Sequence, residues 1–430
     1  MVNPTSPSPG GPGTPGGSDS ADSDGWFAWR RAIPRWERLE SPVTTYHLLL
    51  SATAMLVVIG LVMVLSASSV TSYQDTNSSF TVFFNQLRFA AIGTLGAFVA
   101  SRLSLTTWKR LSVPLLAAAI AVQALVFVPS LGVTVNGNRN WIHVAGQQVQ
   151  PSEFAKIALV LFGATVLAKK RRNLDKLMHV AVPLVFPAGG LLLGLVLAGG
   201  DLGTSLVLLA ILAGMLFVAG VPARMFLLAG VGSAALAATM AMTSANRMGR
   251  IHLWLAGCTD PGKCFQTIHG QYALADGGLW GVGLGASREK WMWLPEAHND
   301  FIFAIIGEEL GLPGTLVIIA LFGLLALACY RLVLRSTDLF VRVATAGVMV
   351  WVLAQAGINI GSVIGLLPVI GVPLPLVSSG GSALMATLFA LGMLLSFARN
   401  EPGCREALAA RPGLVRRSLA VLPARSGRRS

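Results

Sequence analysis

The stretch WLPEAHNDFIFAIIGEELG, Trp293–Gly311, decides how the rest of the chain is read. Glu296, His298, Asp300, Glu308 and Glu309 crowd one short segment of a chain that is only 12% charged. Asp300 is followed at once by Phe301, Ile302, Phe303, Ala304, Ile305 and Ile306, so a carboxylate stands where a watery loop meets an apolar helix. Ionisable groups near membrane depth are costly to bury, which makes them functional candidates. The plainer account is a helix-start charge, since Asp favours the first turn of any helix.

Composition sets the class. The 430 residues are 54% hydrophobic, with a mean hydropathy of +0.67, far beyond a soluble domain. Runs such as Leu48–Leu65, Leu202–Ala219 and Leu316–Ala328 read as membrane spans or most of one. The expected fold is an all-α polytopic membrane protein of about ten transmembrane helices. The spans fall near 46–67, 84–100, 112–128, 153–168, 179–198, 202–219, 224–242, 312–334, 340–360 and 382–398.

The net charge of +13 does not call for nucleic acid, because the Lys and Arg residues gather in alternate loops. Arg102, Lys109 and Arg110 follow the second span, and Lys169, Lys170, Arg171, Arg172 and Lys176 follow the fourth. Arg331, Arg335 and Arg342 join the eighth to the ninth, and a run of arginines follows the last. The loops 68–83 and 361–381 carry almost none. The positive-inside rule then puts both termini in the cytoplasm. The large loop between helices 7 and 8, within 243–311, lies outside together with Asp300. So does the loop 135–153.

Residues 1–44 form a tail of Pro, Gly and Ser, predicted to be disordered, ending in a basic-aromatic segment (Trp26, Phe27, Trp29 and Trp36 among arginines) suited to an anionic leaflet or a partner. Residues 45–399 are the membrane domain, and 400–430 a basic cytoplasmic tail. The first apolar run follows about forty-five polar residues, which is not the layout of a cleavable signal peptide. Cys258 and Cys264, in CTDPGKC, face an oxidising space and are spaced for a small disulfide loop, or stand as two free thiols.

Several further clusters carry polar chemistry. In QPSEFAKIALVLF, Gln150–Phe162, Pro151 and Ser152 are helix-start signals. Lys156 lies roughly 5 Å inside that helix at about 1.5 Å per residue. Its partner is either Glu153, at i,i+3 on the same face, or an acid on another helix, for which Asp300 is the natural candidate. Asn138, Arg139, Asn140, Trp141 and His143 precede that helix, and a guanidinium such as Arg139 suits an anionic lipid head group. Gly200, Asp201, Leu202, Gly203 and Thr204 read as a tight outer turn. IGLLPVIGVPLPLVSSGGSAL, Ile364–Leu384, has three prolines, no charge and a Ser378-Ser379-Gly380-Gly381 pivot. It reads either as a re-entrant element lining a lipid groove or as a packed outer loop. Gln355 and Asn359, four apart, point along one helix face toward it. Zinc spacing, a phosphate-cradling Gly loop and a nucleophile elbow are all missing, and the isolated GVGLG, Gly281–Gly285, lacks the context of a nucleotide site.

Five motifs in order, GLVMVLSASSV (60–70), NGNRNWIHVAGQQVQPSEFAKIALVLF (136–162), GGDLGTSLVLL (199–209), GLWGVGLGASREKWMWLPEAHNDFIFAIIGEELG (278–311) and INIGSVIGLLPVIGVPLPLVSSGGSAL (358–384), carry a resemblance. The chain resembles the SEDS family of peptidoglycan glycosyltransferases, the FtsW/RodA/SpoVE group, over about 45–399, and looks most like its cell-division, actinobacterial members. It departs from the family pattern at Gly199-Gly200-Asp201 and Ser378-Ser379-Gly380-Gly381. The resemblance implies polymerisation of lipid II during septal wall synthesis, at the plasma membrane of the division septum. Asp300 matches the family's essential acid and Lys156 its intramembrane lysine. Arg139, Glu153, Glu296, His298 and Glu309 match positions typical of the family, and Lys290, Gln355, Asn359, Ser378, Ser379, Gly380 and Gly381 are further candidates for substrate binding. The leaving pyrophosphate needs positive charge, from Arg139, Arg288, Lys290 or a divalent cation such as Mg or Mn. Expected partners are an FtsI-like class B penicillin-binding transpeptidase and other divisome proteins. A lipid II flippase and a recruiting scaffold are the rival functions.

Overall fold

The computed structural model describes residues 41, 43–135, 138–144, 146–173, 184, 186, 188–224, 226–227, 230–232, 239, 245–255, 257, 262, 264–401 and 403–409. The tails 1–40 and 410–430, and with them the expected disordered and basic segments, lie outside the described residues.

The chain folds into helices α1 (Thr44–Thr76), α2 (Thr81–Arg102) and α3 (Leu105–Leu125), then strands β1 (Gly132–Val135), β2 (Asn138–Val144) and β3 (Gln147–Val149). There follow α4 (Pro151–Lys169), α5 (Gly190–Ala198), α6 (Leu202–Ala219), α7 (Ala245–Leu255), α8 (Phe265–Gly277), α9 (Ile302–Arg335), α10 (Leu339–Val363), α11 (Gly381–Arg399) and the short α12 (Cys404–Ala409). Eight of these, α1 to α4, α6 and α9 to α11, are long and apolar enough to cross a membrane. Of the other two expected spans, 179–198 holds the short α5 among its described residues, and 224–242 falls largely outside the described residues.

The helix ends obey local rules. Pro151 opens α4 at a position whose N–H has no helical partner, with Glu153 in the first turn and Lys169 in the last, both matching the helix dipole. Asp201 caps α6 by accepting from Thr204 N at 2.9 Å, and Asp338 caps α10 by accepting from Phe340 N at 2.9 Å. Such caps matter in lipid, where water cannot satisfy the free N–H groups.

Helices α4, α10 and α11 form the inner layer, with most of their residues buried. α2 packs along α11, α10 along α6, α1 along α9, and α3 along α4. α2 and α3 bury few of their residues, and Ile92, Leu95 and Phe98 of α2 are exposed, as on a lipid-facing surface. The interior is continuous from Leu49 on α1 to Phe397 on α11.

Two features depart from the sequence expectation. The segment 132–149 is an antiparallel sheet ordered β1-β2-β3, in a chain expected to be all helix. Asn140 and Ile142, two apart on β2, turn inward, which is the period of a half-buried strand. The expected loop 243–311 holds α7, α8 and the first turns of α9, and α9 is kinked at Gly311 (φ 65°, ψ −160°). Gly281 lies against that kink, where a Cβ would come within 2.3 Å of Glu309 O. Val282 N and Gly283 N donate to Glu308 O and Glu309 O, which the kink frees from the helical ladder.

Candidate functional site

Asp300 ends the loop that leads into α9, one residue before the N-cap Phe301. Behind it Ile302 to Ile306 are all buried, so the helix start is seated in the interior and the half-buried Asp300 stands at its mouth. The segment 364–380 crosses this mouth as a non-helical strap. Gly371, with φ +78°, takes a conformation that favours glycine, and a Cβ there would stand 3.4 Å from Asp300 Oδ2.

Lys156 is 1% exposed on α4. Its ammonium donates to Glu153 Oε1 at 2.8 Å and Gln355 Oε1 at 3.0 Å, and sits 4.7 Å over the Trp351 ring. The expected direct pair with Asp300 is therefore corrected: the acid that meets Lys156 is Glu153, already placed on the same face by i,i+3 spacing. Lys156 and Asp300 are connected indirectly, along one face of α10. Gln355 donates to Pro373 O at 3.1 Å, and Asn359, one turn further, donates to Val372 O and to Asp300 O, each at 2.8 Å. The face predicted to carry Gln355 and Asn359 toward the strap does so.

Other candidates are placed as follows. Lys290 and Glu309 pair with each other at 3.0 Å, both buried, and Ser66 on α1 donates to Glu309 Oε1 at 2.6 Å. Glu308 accepts from Ser287 Oγ at 2.5 Å and Arg288 N at 2.6 Å. These groups fasten the loop 278–292 to α1 and α9, so Lys290 is committed to a protein carboxylate. Arg288 is exposed. Glu296, at φ +58°, accepts from the Asn299 amide. Burial pushes the His298 imidazole below its ordinary range, with Glu296 and Asp75 pulling the other way. Arg139 is fixed through its backbone, which donates to Gly199 O at 2.8 Å, while its buried Nε makes no hydrogen bond. Ser378 and Ser379 lie at the end of the strap. Gly380 N donates to Gln86 Oε1 at 3.3 Å, and Gly381 begins α11 where a Cβ would meet the Phe89 ring of α2 at 2.5 Å. Cys264 is disulfide-bonded. Cys258, and so the predicted pairing, lies outside the described residues.

The sequence reading missed Gln86, whose amide also donates to Ser378 O at 3.1 Å, and Gln150, whose amide donates to Asp201 Oδ2 at 2.8 Å. The available signal was an amide at the start of an apolar helix, in the first turns of α2 for Gln86 and at the N-cap of α4 for Gln150, a group that needs partners once buried. Together these residues set a half-buried carboxylate in a polar network sunk into an apolar bundle.

The family model for cell cycle proteins that joins FtsW, RodA and SpoVE matches residues 46–402. A probable peptidoglycan glycosyltransferase FtsW of Mycobacterium tuberculosis is 43% identical over 373 residues, covering 86% of this chain and 71% of that protein. The stage V sporulation protein E of Bacillus subtilis is 38% identical, covering 82% of this chain and 96% of that one. A solved chain from a peptidoglycan synthase complex that coordinates polymerization and crosslinking matches with a TM-score of 0.67 at 28% identity, over 82% of this chain and 97% of that one. The rod shape determining protein RodA of Thermus thermophilus matches with a TM-score of 0.61 at 28% identity, over 82% and 96%. With eight membrane-length helices and a family match over most of its length, the chain is a multi-pass membrane protein that belongs to the FtsW/RodA/SpoVE cell cycle family.

Proposed function

We propose that this protein is a peptidoglycan glycosyltransferase that polymerises lipid II for septal wall synthesis, with Asp300 as general base. The observation that carries the reading is one carboxylate at the outer mouth of α9, beside Gly371 of the strap, in a chain 43% identical to a probable peptidoglycan glycosyltransferase. A sugar hydroxyl is a poor nucleophile at neutral pH and needs a base within hydrogen-bond reach. Asp300 takes the proton of the GlcNAc 4-hydroxyl on the acceptor. The freed oxygen bonds to the anomeric carbon of the donor MurNAc while the bond from that carbon to the pyrophosphate oxygen breaks. The electron pair leaves on undecaprenyl pyrophosphate, and the α linkage of the donor becomes β. Arg139, whose Nε has no hydrogen-bond partner, and exposed Arg288 are the cations assigned to the leaving group in this reading, since Lys290 is held by Glu309. Lys156 acts at a distance, neutralising Glu153 and fixing Gln355 against the strap.

Among the described residues no three His, Cys, Asp or Glu side chains converge as a cation site. The resemblance to a chain of a synthase complex supports a transpeptidase partner, an FtsI-like class B penicillin-binding protein within the divisome. Residence at the septum with both termini in the cytoplasm belongs to the same reading.

The test is lipid II polymerisation by the purified protein, with and without that transpeptidase. Asp300→Asn and Asp300→Ala should keep the fold and lose about 10²–10⁴-fold in rate, the typical worth of a general base. Wild-type-like polymer from Asp300→Ala would refute the base assignment. Transfer of labelled lipid II across vesicles without polymer would favour the flippase.

A further inference from the structure

Three consecutive carbonyls lead into α9, and a different donor holds each. Ser379 N donates to His298 O at 2.9 Å, Ser378 Oγ to Asn299 O at 2.7 Å, and Asn359 Nδ2 to Asp300 O at 2.8 Å. The helical ladder begins only afterwards, at Phe301 O, which accepts from Ala304 N at 2.9 Å. Asp300 therefore sits in a turn whose geometry is set from outside its own helix. Two of the donors are also tied to the strap. Ser378 Oγ accepts from Leu374 N at 2.8 Å, and the Asn359 amide reaches Val372 O at 2.8 Å. Ser378 is 4% exposed and Asn359 2%, so neither presents a face for a sugar.

The strap is itself anchored on three sides. Gln86 on α2 holds Ser378 O and Gly380 N, Gln355 on α10 holds Pro373 O, and Gly60 lets the α1 backbone close on Leu376 O, where a Cβ would come within 2.6 Å. Pro368, Pro373 and Pro375 fix φ along its length.

We propose that Ser378 and Asn359 are positioning residues, which clamp the backbone of the 298–300 turn to the strap and so set the aim of the Asp300 carboxylate. This replaces the substrate-binding role expected for both from sequence, and it rests on Asp300 being the base. Pre-set geometry matters because a displacement of about 1 Å in a reacting group can cost about 100-fold in rate. A positioning role acts on the chemical step, whereas a sugar contact would act on binding.

The experiment is steady-state lipid II polymerisation by the full-length protein, with its transpeptidase where the wild type requires it. The variants are Ser378→Ala, Ser378→Thr and Asn359→Ser, with melting temperature measured on each. Ser378→Ala should lower kcat by about 10- to 100-fold with KM within about twofold, and Ser378→Thr, which keeps the hydroxyl, should restore most of it. Asn359→Ser shortens the donor and should repeat the kcat loss at unchanged KM. A raised KM with unchanged kcat would overturn the proposal in favour of substrate contact. Unchanged activity in Ser378→Ala and Asn359→Ser would overturn it outright, and failure of both to fold would assign the contacts to structure alone. In each of these cases a loss in Asp300→Asn would leave the base assignment standing.

Discussion

At the scale of single residues, the buried pair of Glu153 and Lys156 decides between two chemistries. Both side chains are almost wholly enclosed, and Glu153 Oε2 makes no hydrogen bond. Breaking a buried pair on one side strands the other charge, at about 3–5 kcal/mol. Lys156→Met should therefore lower stability by about that much, and adding Glu153→Gln should recover most of it. Thermal unfolding in detergent checks this, and equal losses in the single and double variants would show that no charge was stranded. The sequence showed that Lys156 lies inside a helix and that Glu153 shares its face. It did not show which acid the amine meets, because that depends on how α10 and the strap pack above it. His298 gives a second, independent test. Its pKa is held below the ordinary 6.5 by burial, so the folded state favours the neutral ring. Between the folded and unfolded values the unfolded chain binds more protons, so this contribution is present above about pH 6.5 and is lost as pH falls toward the folded value. Unfolding followed from about pH 7.5 to 5.5 should show that loss, and His298→Gln should flatten it.

At the scale of elements, the loop after α8 shows how an irregular segment is held at the edge of a membrane. Its backbone pairs with the carbonyls that the Gly311 kink releases from α9, and Glu308 and Glu309 bind its far side. Gly281 is the point of closest approach, at φ +75°. Gly281→Ala should add strain of about 1–3 kcal/mol and push the loop from the kink. Trypsin should then cut after the exposed Arg288 faster than in the wild type, while an unchanged rate would mean that the loop is held without this contact. The sequence marked Glu308 and Glu309 as unusual because charge is rare in such a chain, and it put Glu309 among the substrate-binding candidates without showing the loop that both hold. Their partners, Ser66, the Ser287 hydroxyl, the Lys290 ammonium and the 287–289 backbone, come from distant segments that share no local period with them. The sheet at 132–149 and helices α7 and α8 escaped notice for a related reason. Each is short and polar, and periodicity separates elements well only over long apolar runs.

At the scale of the whole molecule, the proposed sidedness can be tested on one helix. α9 runs from Ile302 to Arg335, and the 25 residues from Gly311 to Arg335 span roughly 36 Å, more than a hydrocarbon core of about 30 Å. Trp291 before it and Thr337 after it must therefore lie on opposite faces of the bilayer, whatever the segments outside the described residues do. Both side chains are exposed. The proposed direction comes from the arginines: Arg331, Arg335 and Arg342 flank Thr337, and the positive-inside rule assigns such residues to the cytoplasm. An impermeant maleimide applied to intact cells should label Trp291→Cys at once and Thr337→Cys only after permeabilisation. Among the described residues the native thiols give little background, since Cys329 and Cys404 are buried and Cys264 is disulfide-bonded. Labelling of Thr337→Cys from outside would invert the topology and carry Asp300 into the cytoplasm. A base there could not serve a polymerase that builds glycan on the outer face, so this labelling pattern tests the proposed function without measuring any activity.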